Sequence, residues 1–150
     1  EAKGFTAEDF AFSHPGGALG RRLLLKVEDL MHKGKDIPTV SPETLTKDAL
    51  LEITRKKLGM TAVVEENGHL VGVFTDGDLR RVLDNETNLH TTQIKDVMTA
   101  SGVSCQPNIL AAEALSIMEN KSINGLFVTN ETNSIVGALN MHDLLKAGIM

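Results

Sequence analysis

The sequence predicts a mixed α/β (α+β) protein made of two pseudo-symmetric units, each strand-helix-strand-strand-helix, packed sheet to sheet. Two observations predict it. First, the chain repeats itself. Asp143 stands 65 residues after Asp78, and the same spacing pairs Pro42 with Pro107, Leu45 with Leu110, Ala49-Leu50 with Ala114-Leu115, Val63 with Val128, and Val71-Gly72 with Val136-Gly137. An ungapped match over about 40 positions marks one supersecondary unit used twice, and two such units bury their apolar faces against each other. Second, the paired short runs in each copy, such as Leu70 to Phe74, are almost wholly apolar. Strands of that kind belong to sheets covered on both faces.

The elements follow in order. Residues 1–26 lie outside the repeat. Thr6-Ala7-Glu8-Asp9 reads as a helix start with an acidic third position suited to a capping box. His14-Pro15-Gly16-Gly17 breaks the chain, and Ala18 to Lys26 resumes as a short helix rich in Leu and Arg. The first unit spans 27–84. Val27 to Met31 forms one helical turn, and Ile37 to Val40 a short strand whose Pro38 suits an edge or a strand start. Thr46 to Lys57 is a helix with Ala49, Leu50 and Ile53 on one face. Thr61 to Val64 is a buried strand, Asn67-Gly68 a tight hairpin turn, Leu70 to Phe74 the returning arm, and a helix begins near Asp76. A polar linker covers 85–93. The second unit, 94–150, copies the order: opening turn Ile94 to Met98, helix Ala111 to Asn120, strands Leu126 to Thr129 and Ile135 to Leu139, closing helix Met141 to Lys146. Its opening turn matches the first at a spacing of 67, so the two-residue difference falls in the loop before the first strand.

Bulk properties remove several function classes. A net charge of −5 without a long basic patch argues against nucleic acid. With no Trp, no Tyr and five Phe, a stacking platform for single strands is not available. No apolar run approaches the ~20 residues that span a bilayer, which argues against a membrane partner. The one cysteine, Cys105, has no internal partner and reads as a small buried apolar residue; a reducing cytoplasm is the simplest compartment. The chain opens Glu1-Ala2-Lys3 rather than with Met and reads as a piece of a longer protein. His32, His69, His90 and His142 show no metal-ligand spacing and read as solvated residues, so no metal site is expected. Glu65-Glu66 reads as a solvated edge.

The chemistry concentrates where a strand gives way to a helix. There Asp78 can accept two hydrogen bonds from the neighbouring hydroxyls of a ribose, beside Thr75. Free N–H groups of the helix start favour a phosphate, and Arg80 and Arg81 could grip it. Thr-x-x-Asp is equally a helix cap, and both roles can coexist. The second copy keeps Asp143, replaces Thr75 by Asn140, and carries Leu145 and Lys146 where the first has Arg80 and Arg81. Two unequal clefts are expected, the Asp78 one preferring an anionic ligand.

Two such units, each ending hydrophobic-Gly-hydrophobic-hydrophobic-(Thr/Ser)-x-x-Asp-Leu, resemble cystathionine-beta-synthase (CBS) domains, whose tandem pair is called a Bateman module. Leu70 to Arg81 fits that pattern, and Ile135 to Leu139 with Asp143 fits it with Asn140 as the departure. The resemblance implies two clefts for nucleotides or related ligands, often in a disc-like homo-oligomer. It adds Asp76 and His142, inside the two motifs, to the ligand-binding candidates. It also implies base-holding walls from Thr39, Val40, Met60 and Thr61 in one copy and Val103 and Asn124 in the other. Taken singly, Val40, Met60 and Val103 read first as core.

Gly4-Phe5-Thr6-Ala7-Glu8-Asp9-Phe10-Ala11 followed by Ser13-His14-Pro15-Gly16-Gly17-Ala18-Leu19-Gly20-Arg21-Arg22-Leu23 is similar to the join between a sugar isomerase (SIS) domain and a CBS pair in bacterial D-arabinose 5-phosphate isomerases. This resemblance implies a parent enzyme that interconverts D-ribulose 5-phosphate and D-arabinose 5-phosphate, supplying the lipopolysaccharide sugar Kdo. His14 would belong to its active site in the intact enzyme only, with the catalytic SIS domain of the same chain as partner. No cofactor is implied; the candidate ligands are CMP-Kdo, as a feedback end product, or an adenine nucleotide. Gly16 to Gly20 lacks the Gly-Lys-Thr/Ser ending of a phosphate loop and reads as a flexible joint.

Overall fold

The computed structural model describes residues 23–100 and 102–149. The first unit contains α1 (Val27–Leu30), β1 (Thr39–Val40), α2 (Thr46–Lys56), β2 (Met60–Val64), β3 (Leu70–Thr75) and α3 (Asp76–Asp84). The second contains β4 (Thr99–Ala100), β5 (Ser104–Cys105), α4 (Ala111–Lys121), β6 (Gly125–Thr129), β7 (Ile135–Asn140) and α5 (Met141–Lys146). Short 3-10 turns cover Gly34–Asp36 and Ile94–Asp96. The helices from Ala18 and from Thr6 lie outside the described residues, wholly or for the most part.

Two small mixed sheets result. One has the order β1-β2-β3-β4, the other β5-β6-β7. In each, a short strand runs parallel to the first hairpin arm, and the arms are antiparallel. The sheets face each other across a shared core that holds Met60, Ala62 and Leu70 of the first unit with Phe127 and Ala138 of the second. Helices cover the outer faces: Ala49, Val63, Phe74 and Val82 cluster on one side, Ala114, Met118, Leu139 and Leu144 on the other. The expected cover on both faces holds for β2 and β6, which are buried almost throughout. It does not hold for β3, where buried and half-buried residues alternate.

Both long helices stop in the same way. Lys57 and Ser122, 65 residues apart, take left-handed conformations at φ 63° and 57°. The β2–β3 connection is longer than a two-residue turn. Glu65 N–H bonds His69 O across five residues, and Gly68 supplies a φ of 87° that a side chain would strain. The two hairpin tips also meet, through Leu70 N–H to Asn133 O at 3.1 Å and Ile135 N–H to Gly68 O at 3.2 Å.

The segment that opens each unit packs on the other unit. Val27 N–H and Glu28 N–H bond Ile109 O and Pro107 O of the second unit at 2.9 Å. Ile94 N–H and Lys95 N–H bond Thr44 O and Pro42 O of the first at 2.7 and 3.1 Å. β4 adds to the first unit's sheet beside Gly72 and Val73. His32 bridges Ala138 of β7 in the corresponding way. Two glycines receive these segments: a Cβ on Gly72 would run into the sulfur of Met98, and one on Gly137 into the sulfur of Met31.

Candidate functional site

Each strand-to-helix junction ends at the seam where the opposite unit's opening segment crosses. At the first, Thr75 has extended backbone angles and starts α3. Thr75 N–H donates to Asp78 Oδ2 at 2.9 Å, and its hydroxyl reaches the same oxygen at 3.3 Å. Arg81, one turn on, donates to Asp78 Oδ1. The fourth donor comes from the other unit: Thr99 Oγ1 to Asp78 Oδ1 at 2.7 Å. The Asp78 side chain is only 4% exposed, whereas that of Arg81 is 60% exposed.

At the second junction Asn140 and Asp143 exchange reciprocal bonds of 2.9 Å, which close a capping box at the start of α5. The remaining oxygen, Asp143 Oδ1, meets His32 Nε2 at 2.9 Å. His32 therefore corrects the sequence expectation: it is part-buried and paired, not simply solvated. Thr99 was not a sequence candidate at all. Both follow a paired methionine, Met31 and Met98, by one residue, and that 67-residue spacing is the signal that would have found them. Their side chains differ, so the repeat does not display them as a match.

The other candidates disperse. Met60 pairs in register with Thr75 next to the first junction, but its side chain is buried over Gly125 in the inter-sheet core. Thr61 is fully buried and donates to Ala62 O at 3.2 Å. Val40 packs with the helix-side cluster, and Thr39 is half-buried on the edge strand. Thr61 exposes no surface, whereas Val40 is half-buried. Asn124 is exposed; its carbonyl accepts Met141 N–H at 2.8 Å beside the second junction. Val103 is 37% exposed. Asp76, Arg80 and His142 are exposed, so only Arg81 of the two arginines engages the acid. His14 and Gly16 to Gly20 lie outside the described residues. A shallow depression between Gln106–Asn108 and Asn130–Thr132 is at the hairpin-tip end of the second unit, away from Asp143.

Two titrating groups outside the junctions have shifted pKa values. Glu52 of α2 is buried, which alone would raise its pKa. The Lys56 hydrogen bond, the Thr39 N–H and the charges of Lys56 and Arg55 outweigh burial and hold it below the usual value. Burial pushes the Cys105 thiol up to about 11, so it stays neutral and unreactive. Among the described residues no group of three or more His, Cys, Asp or Glu could hold a metal ion, and no helix is long and apolar enough to cross a membrane.

Comparison with known proteins places this geometry. The CBS domain family matches residues 27–85 and 94–149. The arabinose 5-phosphate isomerase KdsD of Pseudomonas aeruginosa is 60% identical over 150 residues, which is all of this chain and 46% of the relative. KdsD of Escherichia coli K12 is 52% identical over the same span, 45% of its length. The chain thus spans less than half of the curated relatives it matches. Among solved structures, CBSX2 in complex with AMP superposes with a TM-score of 0.73 at 25% identity, covering 83% of this chain and 96% of that one. The CBS domain pair of protein MJ0100, in complex with 5-methylthioadenosine and S-adenosyl-L-methionine, gives a TM-score of 0.74 over 85% of this chain and 99% of that one. At 20% identity that second likeness is one of fold.

Proposed function

The chain belongs to the CBS domain family, as two copies in tandem, and we propose that the pair is the effector-sensing part of a D-arabinose 5-phosphate isomerase. The parent enzyme interconverts D-ribulose 5-phosphate and D-arabinose 5-phosphate through a catalytic SIS domain in the same chain, with His14 in its active site. On this reading the CBS pair binds the effector, and the chemistry belongs to the SIS domain. Its ligand is a nucleotide or nucleotide-sugar, and CMP-Kdo is the leading candidate because an activated end product suits feedback on an early isomerase. An adenine nucleotide is the competitor, supported by AMP in the CBSX2 neighbour.

The observation that carries the ligand reading is the position of the two acids. Asp78 and Asp143 stand at the seam between the units, each touched by a residue from the opposite half. A carboxylate there can exchange an internal donor for a ribose hydroxyl, and the exchange reaches both units at once. Calorimetry with CMP-Kdo, AMP and ATP tests it. Heat with CMP-Kdo supports the feedback reading; tight AMP binding with none for CMP-Kdo rejects it.

A second reading is favoured by one feature: both acids already serve as caps of α3 and α5. On that reading the pair is a homo-oligomerisation scaffold and the clefts are vestigial. Asp78→Ala separates the two. The variant loses four accepted bonds and melts lower on either reading, so ligand heat decides: heat in the unsubstituted chain that the variant loses supports the sensor, and no heat in the unsubstituted chain supports the scaffold.

A further inference from the structure

A carboxylate offers acceptor sites for about four hydrogen bonds. Asp78 has four donors already: Thr75 N–H, the Thr75 hydroxyl, Arg81 and Thr99. Asp143 has two, Asn140 N–H and His32. The two acids are therefore in different states of readiness. A hydroxyl can be added to Asp143, but at Asp78 it must replace a donor. Thr75 N–H is fixed by the backbone and occupies Oδ2 with the long 3.3 Å bond of its own hydroxyl; Oδ1 is held only by Arg81 and Thr99, and these are the groups that must leave to open that oxygen.

We propose that Arg81 and Thr99 form an autoinhibitory contact on Asp78 that makes the first cleft specific for ligands carrying a ribose diol and an anionic group together. The proposal rests on the reading of Asp78 as the hydroxyl-binding acid and adds what that reading lacks, a reason for selectivity. Removing Arg81 from a buried carboxylate loses a charge-assisted bond, and one neutral hydroxyl replaces only part of it. A ligand phosphate restores the balance, because the guanidinium that leaves Asp78 takes the phosphate as its new partner. Arg81 is mostly exposed and can swing with little repacking. A nucleoside offers the diol without that compensation and binds more weakly. Thr99 stays in β4 through its pairing with Val73, so its release breaks only the side-chain tie between the second unit's opening segment and α3.

The test is a titration of the full 150-residue chain with AMP, adenosine, CMP and cytidine. It is read by the backbone amide signals of Thr75, Asp78 and Thr99, which separate this cleft from the one at Asp143. In the unsubstituted chain, each nucleotide binds about tenfold or more tightly than its nucleoside. Arg81→Ala and the shape-conserving Thr99→Val each strengthen nucleoside binding several-fold, and Arg81→Ala weakens nucleotide binding, so the gap closes. The proposal is overturned if neither variant strengthens nucleoside binding while Asp78→Asn still abolishes the AMP response. If Asp78→Asn leaves the AMP response intact, or no nucleotide moves these signals, the ligand reading itself fails and takes the proposal with it.

Discussion

At the first junction a buried acid is held by four donors, one a permanent cation; at the second a slightly more open acid is held by two, one a histidine. The backbones are near copies, so the difference lies in side chains. A similar divergence runs through the core. Phe127 of β6 occupies the position that Ala62 holds in β2, and both belong to the single cluster between the sheets. Two phenylalanines related by the pseudo-symmetry would meet at the middle; one large and one small residue fill it. The units are thus complementary rather than interchangeable, and symmetry is kept in the backbone while chemistry is divided between the halves.

Removing the large partner is the strongest way to break that complementarity. Phe127→Ala leaves a void between the sheets and should lower stability by about 3–5 kcal/mol. Because the cluster includes residues of both units, urea denaturation should shift as one transition with an unchanged slope. Two separated transitions would show that the halves are independent and that the shared core matters little.

The junctions come next. Asp78→Asn turns an amide toward donors it cannot accept from and should cost about 2–3 kcal/mol, while Asp143→Asn, with fewer donors to disappoint, should cost about 1 kcal/mol. Equal losses in chemical denaturation, or a larger one at Asp143, would cancel the distinction between a saturated and an unsaturated acid.

Much of the architecture was legible because the repeat displayed it twice. Strand, helix and hairpin patterns recur at one spacing, and each copy supports the other. Most described elements lie within a residue or two of their expected ends; Met141–Lys146 agrees at both. What the repeat could not display is which unit a segment packs on. Val27–Leu30 and the Ile94–Asp96 turn are short, and nothing in their periodicity says that each crosses to the other half. Their partners are backbone carbonyls, at Pro107 and Ile109 or Pro42 and Thr44, which carry no sequence signal. The site suffered most from this. Thr75 and Asp78 stand together as the motif implied, but Thr99 and His32 reach the acids only through the crossing. The charge of Arg81 suggests a phosphate grip; what its sequence position does not announce is the i, i+3 contact with Asp78 that the helix also gives it.

The smallest expected effect concerns a contact that one unit has and the other lacks. Glu52 accepts Thr39 N–H at 3.2 Å, Arg55 at 3.0 Å and Lys56 at 2.9 Å. Its counterpart 65 residues on is Ile117, which can accept nothing. So the first unit ties its edge strand β1 to α2 with an ionised group, and the second cannot. Glu52 is held below its ordinary value of 4.5, so the folded state prefers it charged. A lowered folded pKa gives stability that is fully present above the unfolded value and is lost as pH falls through the folded one. Glu52→Gln should therefore cost about 1 kcal/mol at pH 7. The gap between the two proteins should shrink as pH is taken from about 5 toward 3, where the unsubstituted chain loses the contribution as well. Denaturation midpoints across that range check the sign. A gap that stays constant, or widens in acid, would mean that the carboxylate acts through its shape alone, and that this asymmetry between the units is one of packing rather than charge.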